Sequence, residues 1–479
     1  MPSSVLDVIV KAYDIRGLVG EQLDERVSRS LGIAFAEVVV RAEGATAAVV
    51  GHDMRDSSPA LAGAFAQGAA ERGVDVTMLG LVSTDALYFA SGSRQQPGAM
   101  FTASHNPAAY NGIKLCRAGA RPVSGATGLD AVRDLAVAVL DGTVGLAHAE
   151  PGRVRSADVL GDYARFLRGL VDLSGSRPLR VVVDAGNGMA GLTAPAVLGT
   201  AAGLPALPLT VVPLYLELDG TFPNHEANPL DPANLVDLQR AVVEHRADLG
   251  LAFDGDADRC FVVDERGHAV SASAITALIA AREIGKEVAA GTPAAAVSVV
   301  HNLITSAHVP ELVAALGARP VRTRVGHSFV KAEMAQAGAV FGGEHSAHYY
   351  FRDFWHADTG MLAALHVLAA LGEQEGPLSA LMADHGRYAA SGEINSTVTD
   401  QRGATEQVRA WGAERAAVVD ELDGLTLTHA GGPGDPMWWL NLRASNTEPL
   451  LRLNVEADGG ATMASVRDDV LRIVRGADR

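Results

Sequence analysis

Three aspartates alternate with small residues in Asp254-Gly255-Asp256-Ala257-Asp258-Arg259, directly after the apolar run 249–253. Carboxylates are hard oxygen ligands, and three of them suit Mg2+, a small ion that keeps open positions for a phosphate oxygen. On an ideal strand successive members of the trio would lie about 7 Å apart. Convergence therefore needs a turn, which Gly255 and the small Ala257 permit. A calcium loop is the main structural alternative, with Glu265 at its twelfth position. Its sixth position should be glycine, however, and Arg259 stands there without a convincing entering helix. The bland alternative is a solvated acidic turn.

Ser104 lies in Thr102-Ala103-Ser104-His105-Asn106-Pro107, a polar loop that follows Gly98-Ala99-Met100-Phe101. Alone it would read as a turn or cap residue, so its chemistry depends on what else the fold brings to it. In Gly342-Gly343-Glu344-His345-Ser346-Ala347-His348, Glu344 could accept sugar hydroxyls, Ser346 could orient that contact and His348 could support a hydroxyl or the loop. In Arg443-Ala444-Ser445-Asn446-Thr447-Glu448-Pro449, a guanidinium, two hydroxyls, an amide and backbone N–H groups could enclose a phosphate. The latter loop lacks the Gly-rich Lys-Ser/Thr pattern of nucleotide hydrolysis, and no Gly-x-Gly-x-x-Gly follows an early strand.

The elements that must position these loops repeat three times. Short apolar strands are predicted at 47–50, 74–79 and 99–101, again at 179–183, 207–212 and 249–253, and again at 295–300, 320–324 and 339–341. Helical patterns at 59–72, 232–245, 304–316 and 328–337 separate them. Such alternation implies mainly parallel sheets covered by helices, with ligand loops beyond the strands' carboxyl ends. The first strands then lead into Gly51-His52-Asp53, Asp184-Ala185-Gly186-Asn187-Gly188 and His301-Asn302, and the third strands into the Ser104, Asp254 and Glu344 loops. The predicted units run 1–152, 153–267 and 268–372, with 372–377 as a linker. A C-terminal α+β domain, 373–479, holds β-rich pieces at 440–442 and 450–455 and a helix over 461–474.

Composition narrows the function classes. The chain has 479 residues and a formal net charge of -17, which opposes a nucleic-acid or anionic-membrane surface. A few convergent cations can still reverse the potential inside one cleft for small anions. Only Cys116 and Cys260 are present, far apart and without metal-ligand spacing, which fits a reducing compartment. The start lacks a signal-peptide pattern, no apolar stretch is long enough to span a bilayer, and cytoplasm is the expected location. No assembly segment that would specify an oligomeric state is recognisable.

Taken together, the loops resemble the α-D-phosphohexomutase superfamily, on its phosphomannomutase/phosphoglucomutase side, over essentially the whole chain. Lys11-Ala12-Tyr13-Asp14-Ile15-Arg16-Gly17 is similar to the family's N-terminal signature. The Ser104 hexapeptide resembles its phosphoserine loop, 254–259 its metal loop, 343–348 its sugar-recognition loop and 443–449 its phosphate-recognition loop. The resemblance implies four domains around a central cleft: three related mixed-sheet α/β domains plus a C-terminal α+β domain. It implies a phosphorylated Ser104, Mg2+ held by Asp254, Asp256, Asp258 and a phosphoserine oxygen, and a hexose 1,6-bisphosphate intermediate and activator. Mannose 6- and 1-phosphates are the expected substrates, since Tyr349-Tyr350-Phe351 after the sugar loop resembles phosphomannomutase-type sequences. Glucose phosphates, alone or together with mannose phosphates, are the alternative. A phosphatase or a nonenzymatic sugar-phosphate binder would not need the whole constellation.

Within that frame Lys114 and Arg259 are expected to stabilise charge in phosphoryl transfer. His105, Lys114 and His327 are candidates for proton handling, with Gly326-His327 also touching substrate. Tyr13 and Arg16 are expected to shape the wall around the serine. Glu344, Ser346 and His348 would read the sugar, and Arg443, Ser445, Asn446 and Thr447 the nonreacting phosphate. Ala257 and Ala347 stand where the family commonly has glycine, and His301 where bacterial bifunctional relatives often carry lysine.

Overall fold

The computed structural model describes residues 4–145, 149–444 and 450–476. Four sheets follow one another along the chain. In the first, Ala47–His52 lies parallel to and between Asp75–Leu81 and Gly98–Phe101. The chain then returns as Tyr110–Arg117, antiparallel to Gly98–Phe101, and Ile15–Leu18 adds to that side. The second sheet repeats the plan: Leu179–Asp184 between parallel Leu209–Leu214 and Leu249–Phe253, then Cys260–Asp264 returning. So does the third, with Ser298–Asn302 between Arg319–Thr323 and Phe341–Gly343, then Tyr349–Phe351 returning. The Ser104, Asp254 and Glu344 loops are thus tips of equivalent antiparallel hairpins.

The expected parallel strands are all present, with three starts displaced: those expected from 207 and 339 begin two residues later, at Leu209 and Phe341, and the third lies further off. The strand expected from residue 295 begins at Ser298, because 294–296 close a tight turn after Pro293. The fully buried runs Leu249–Phe253 and Val181 to Val183 are apolar at almost every position because both sheet faces are covered.

Packing runs past two of the expected boundaries. Val154–Ser156 pairs with Asp75–Leu81 at the far edge of the first sheet. Gly152 is a point of close approach, since a Cβ there would lie 2.1 Å from the Val74 carbonyl oxygen. Beyond residues 372–377, the helix Leu378–Ala383 packs on the third unit's helix Ala272–Ala289. Ser379 Oγ also donates to Glu265 Oε1 at 2.5 Å.

The first three units share one continuous apolar core that joins Leu87, Tyr163, Phe253, Phe351 and Leu365. Inside it lies the helix Gly360–Gly372, apolar nearly all round and buried at every position. The C-terminal domain has its own core, in which Trp411, Leu440 and Val470 meet between an antiparallel sheet and the helices Gln401–Ala413 and Gly460–Gly476. It joins the third unit through the small cluster Leu303, Ile304 and Trp439 and through Ser306 Oγ donating to Glu456 Oε1 at 2.9 Å. Among the described residues, no helix is long and apolar enough to cross a membrane.

One buried carboxylate ties the three fused units together. Asp85, in the helix Thr84–Arg94, accepts from Ser83, from Tyr163 Oη at 2.6 Å and from Thr359 Oγ1 at 2.7 Å. Burial pushes its pKa up to about 6 against these donors. Asp85→Ala leaves three buried hydroxyls without their common acceptor and is expected to cost about 2–4 kcal/mol. Urea unfolding at neutral pH measures this, and an unchanged midpoint would contradict it.

Candidate active site

The hairpin tips of the first two units touch. Gly255 makes this possible, because a Cβ there would lie 2.4 Å from the Ser104 carbonyl oxygen. Ser104 itself has φ +51°, a left-handed conformation that costs a non-glycine residue energy. Its N–H donates to Thr102 Oγ1 at 2.9 Å, and its hydroxyl donates to Asp254 Oδ2 at 2.9 Å. A near neighbour, Thr102, and a residue 150 positions away, Asp254, thus aim Oγ at the acidic loop.

That loop turns as convergence requires. Ala257 takes φ +61°, and one carboxylate oxygen from each of Asp254, Asp256 and Asp258 lies within 4.8 Å of the other two. Lys114 Nζ donates to Asp256 and Asp258 at 2.6 Å each, Thr84 Oγ1 donates to Asp256 at 2.6 Å, and Arg259 Nε donates to Asp254 at 2.8 Å. Asp256 Oδ1 and Asp258 Oδ1 remain buried without a hydrogen-bond partner. Two orphaned carboxylate oxygens beside a third carboxylate fit a small divalent cation.

Burial raises the Asp254 pKa despite Arg259, and burial reinforced by Asp256 pushes Asp258 well above the usual carboxylate range. Burial opposes ionisation of Asp256 too, but Lys114 and Thr84 outweigh it and hold its pKa low. Lys114 is likewise penalised by burial, yet Asp256 and Asp258 raise its pKa well above the ordinary lysine value. It is a fixed cation at neutral pH.

Histidines surround this centre in their neutral form. His105 Nδ1 lies 3.3 Å from Ser104 Oγ and accepts from Arg259 Nη2 at 2.6 Å, and burial together with Arg259 keeps its pKa far below the usual value. His327 stands edge-on to Tyr13 at 5.3 Å between ring centroids, and burial lowers its pKa to about 4. His348 Nδ1 is 3.1 Å from Ser346 Oγ and its Nε2 is 3.8 Å from Asp258 Oδ1, with its pKa brought to about 3 by burial and Arg259. An isolated bridge between Arg259 and His348 joins the second and third hairpin tips through their backbones.

On the 343–348 loop, Glu344 Oε1 accepts from Asn302 Nδ2 at 2.9 Å and from the Gly326 N–H at 3.3 Å, while Oε2 accepts from Tyr350 Oη at 2.6 Å. The carboxylate is fixed in place and Oε2 keeps capacity for a further donor. Arg16 donates to Asp14 at 2.7 Å and also bonds Asn106 and the Ala103 carbonyl, bracing the serine loop. Arg443 lies between Glu393 and Asp423, at 3.5 and 3.6 Å, and Asp423 also accepts from the Val325 N–H at 3.2 Å. Asp423 thereby links the C-terminal domain to the Gly326-His327 turn. Ser445, Asn446 and Thr447 lie outside the described residues.

His301, on the strand Ser298–Asn302, is buried with Nδ1 against its neighbour's carbonyl, and burial brings its pKa to about 4. Sequence reasoning passed over Thr84, Arg55 and the Lys331–Asp358 pair, whose charges lie 2.6 Å apart beside His348. Arg55, two residues past the noted Asp53, was within reach as a cation in a loop that follows a central strand.

Comparison with known proteins accords with this geometry. Models of the phosphoglucomutase/phosphomannomutase domains match in chain order: alpha/beta/alpha domain I at residues 7–135, domain II at 162–267, domain III at 273–388 and the C-terminal domain at 393–473. A phosphomannomutase of Salmonella typhimurium is 39% identical over 465 residues, covering 96% of this chain and 97% of the relative. A protein of Xanthomonas campestris described as phosphohexose mutases is 38% identical, covering 97% and 99%. The crystal structure of a phosphoglucomutase/phosphomannomutase family protein from Burkholderia thailandensis superposes with a TM-score of 0.84 at 32% identity, covering 100% of this chain and 98% of that one. Matched from end to end by such relatives, the chain belongs to the phosphoglucomutase/phosphomannomutase family of the α-D-phosphohexomutase superfamily, a family of intramolecular phosphotransferases.

Proposed function

We propose that the enzyme interconverts the 6- and 1-phosphates of a hexose, preferring mannose and also accepting glucose, with Ser104 as phosphoryl carrier and a bound hexose 1,6-bisphosphate as intermediate. The observation that carries this reading is Ser104 Oγ, 2.9 Å from Asp254 inside a ring of three carboxylates, Lys114 and Arg259. Asp254, Asp256 and Asp258 would hold Mg2+, which when bound supplies positive charge to phosphoryl oxygens, a phosphoserine oxygen among them.

In the first half-reaction the Oγ–P bond of phosphorylated Ser104 breaks as phosphorus bonds the free hydroxyl of the hexose monophosphate, and the departing Oγ takes up a proton to become the hydroxyl that donates to Asp254. Lys114 and Arg259, fixed by their aspartates, are preorganised cations for charge on the transferring group. The attacking hydroxyl gives up its proton. Lys114 is committed as a cation, and His105 Nδ1 already accepts from Arg259, so the neutral His348 and His327 remain as acceptors. His348 is assigned that task because its Nε2 is 3.8 Å from Asp258. His327, against Tyr13, is assigned to orientation. After the bisphosphate reorients, its other phosphate returns to Ser104 and the isomerised monophosphate leaves. Arg443, with Ser445, Asn446 and Thr447, is assigned to the nonreacting phosphate in both orientations.

Mannose and glucose phosphates differ only in configuration at C2, and a site that reads phosphates and the 3- and 4-hydroxyls takes both. The phosphomannomutase from Salmonella typhimurium and the phosphohexose mutases from Xanthomonas campestris support that breadth. Steady-state assays with mannose, glucose and glucosamine 1-phosphates, each with a trace of its bisphosphate, test the reading. Mannose 1-phosphate should give the highest kcat/KM, followed by glucose. A preference for glucosamine, or no interconversion at all, would overturn it.

A further inference from the structure

A buried cation that touches none of the reacting groups holds the serine loop from behind. Arg55 is 2% exposed, and its five N–H bonds are all engaged. Nε donates to Asp53 at 3.2 Å, Nη1 to the Pro107 and Tyr110 carbonyls at 2.9 and 3.0 Å, and Nη2 to the Ser104 and Asn106 carbonyls at 3.0 and 2.7 Å. Four of the five bonds thus fall on one hairpin tip. Asp53 is itself fixed, since Ser58 Oγ donates to it at 2.6 Å. The second unit covers the clamp: the Phe222 ring centroid lies 5.1 Å from the guanidinium carbon, and a Cβ on Gly220 would fall 2.7 Å from Arg55 Cα.

We propose that Arg55 is a positioning residue for phosphoryl transfer, locking the strained Ser104 tip in the conformation that faces Oγ to Asp254. The inference rests on the reading of Ser104 as carrier. At φ +51° Ser104 occupies a conformation that a free loop would leave. The guanidinium turns the Ser104 carbonyl away and leaves Oγ on the opposite task. No other single side chain in the described hydrogen bonds reaches residues 104, 106, 107 and 110 together. Lysine would keep the charge but cannot span four carbonyls from one nitrogen. The second unit's cover makes the clamp dependent on closure between the first two units.

In Arg55→Lys, kcat should fall about 30–100-fold while KM for the hexose phosphate stays within about twofold, since a displacement near 1 Å is enough for such a loss. Intact-mass analysis after loading with bisphosphate should show phosphate leaving Ser104 faster than in the wild type. Arg55→Ala should regain part of its kcat when guanidinium is added at millimolar concentration, with no gain in the wild type. Wild-type kcat in Arg55→Lys, or a loss confined to KM, would overturn the proposal. Ser104→Ala in the same assay keeps the two readings apart: normal turnover there defeats the carrier itself, whereas an inactive Ser104→Ala beside a normal Arg55→Lys defeats only the clamp. Should the Arg55 variants not fold, Phe222→Ala removes just the covering ring. A kcat lowered about 3–10-fold at constant KM supports the clamp, and an unchanged kcat counts against it.

Discussion

Ser104→Ala is expected to lower kcat by at least about 10^4-fold, the scale reached when a covalent carrier is removed. Fold stability should hardly change, because alanine carries the same left-handed strain as serine and only the Oγ contacts with Asp254 and His105 disappear. No neighbouring group can take over. His105 Nδ1 already accepts from Arg259, His348 beside Asp258 is assigned to the sugar hydroxyl's proton, and Lys114 and Thr84 are a cation and a hydroxyl donor bound to carboxylates. Coupled assays give the rate, and intact mass gives the chemistry: wild type incubated with bisphosphate should gain one phosphoryl group and the variant none. Turnover retained without an adduct would mean direct transfer between sugars.

Removal of the divalent cation should have an effect of similar rank, at least about 10^3-fold in kcat, reversed by added Mg2+. The reason is charge. Asp254, Asp256 and Asp258 bring three negative charges when ionised, and Lys114 and Arg259 bring two positive ones, leaving about one negative charge before phosphate arrives. A phosphoserine adds almost two more. Uncompensated, that sum in a buried site disfavours the phosphorylated enzyme itself, so chelation should deplete phosphorylated Ser104 as well as slow transfer. Asp256→Asn should copy the effect, because it weakens the cation site and frees Lys114 from one of its two partners. Full activity after exhaustive chelation, with metal absence verified by elemental analysis, would refute the argument.

The sequence was legible where information is local. Alternating carboxylates, Ser104 in its polar loop and the buried apolar strands all announce themselves within a few residues, and the threefold repeat follows from their order. The return strands were harder to see: Tyr110–Arg117 carries Asn111 and Lys114, and Tyr349–Phe351 is three residues long, so neither stands out as an alternating or apolar run. Arg55 and Thr84 escaped for another reason. Each is defined by partners far along the chain, Thr84 by Asp256 and Arg55 by the 104–110 carbonyls. The two alanines at expected glycine positions have a physical reading as well. Ala257 and Ala347 both adopt positive φ, +61° and +64°, where glycine would be free of strain.

The helix Gly360–Gly372 lies inside a core built from all three leading units, although it is the last of that core's long segments to be made. During synthesis the first two units must therefore wait, with apolar surface uncovered, until residue 372 has left the ribosome. At ordinary elongation rates the 105 residues from 267 to 372 take roughly 5–20 s. The chain's most hydrophobic helix acts as a closing wedge, and truncation before it should yield aggregation-prone fragments rather than independent modules.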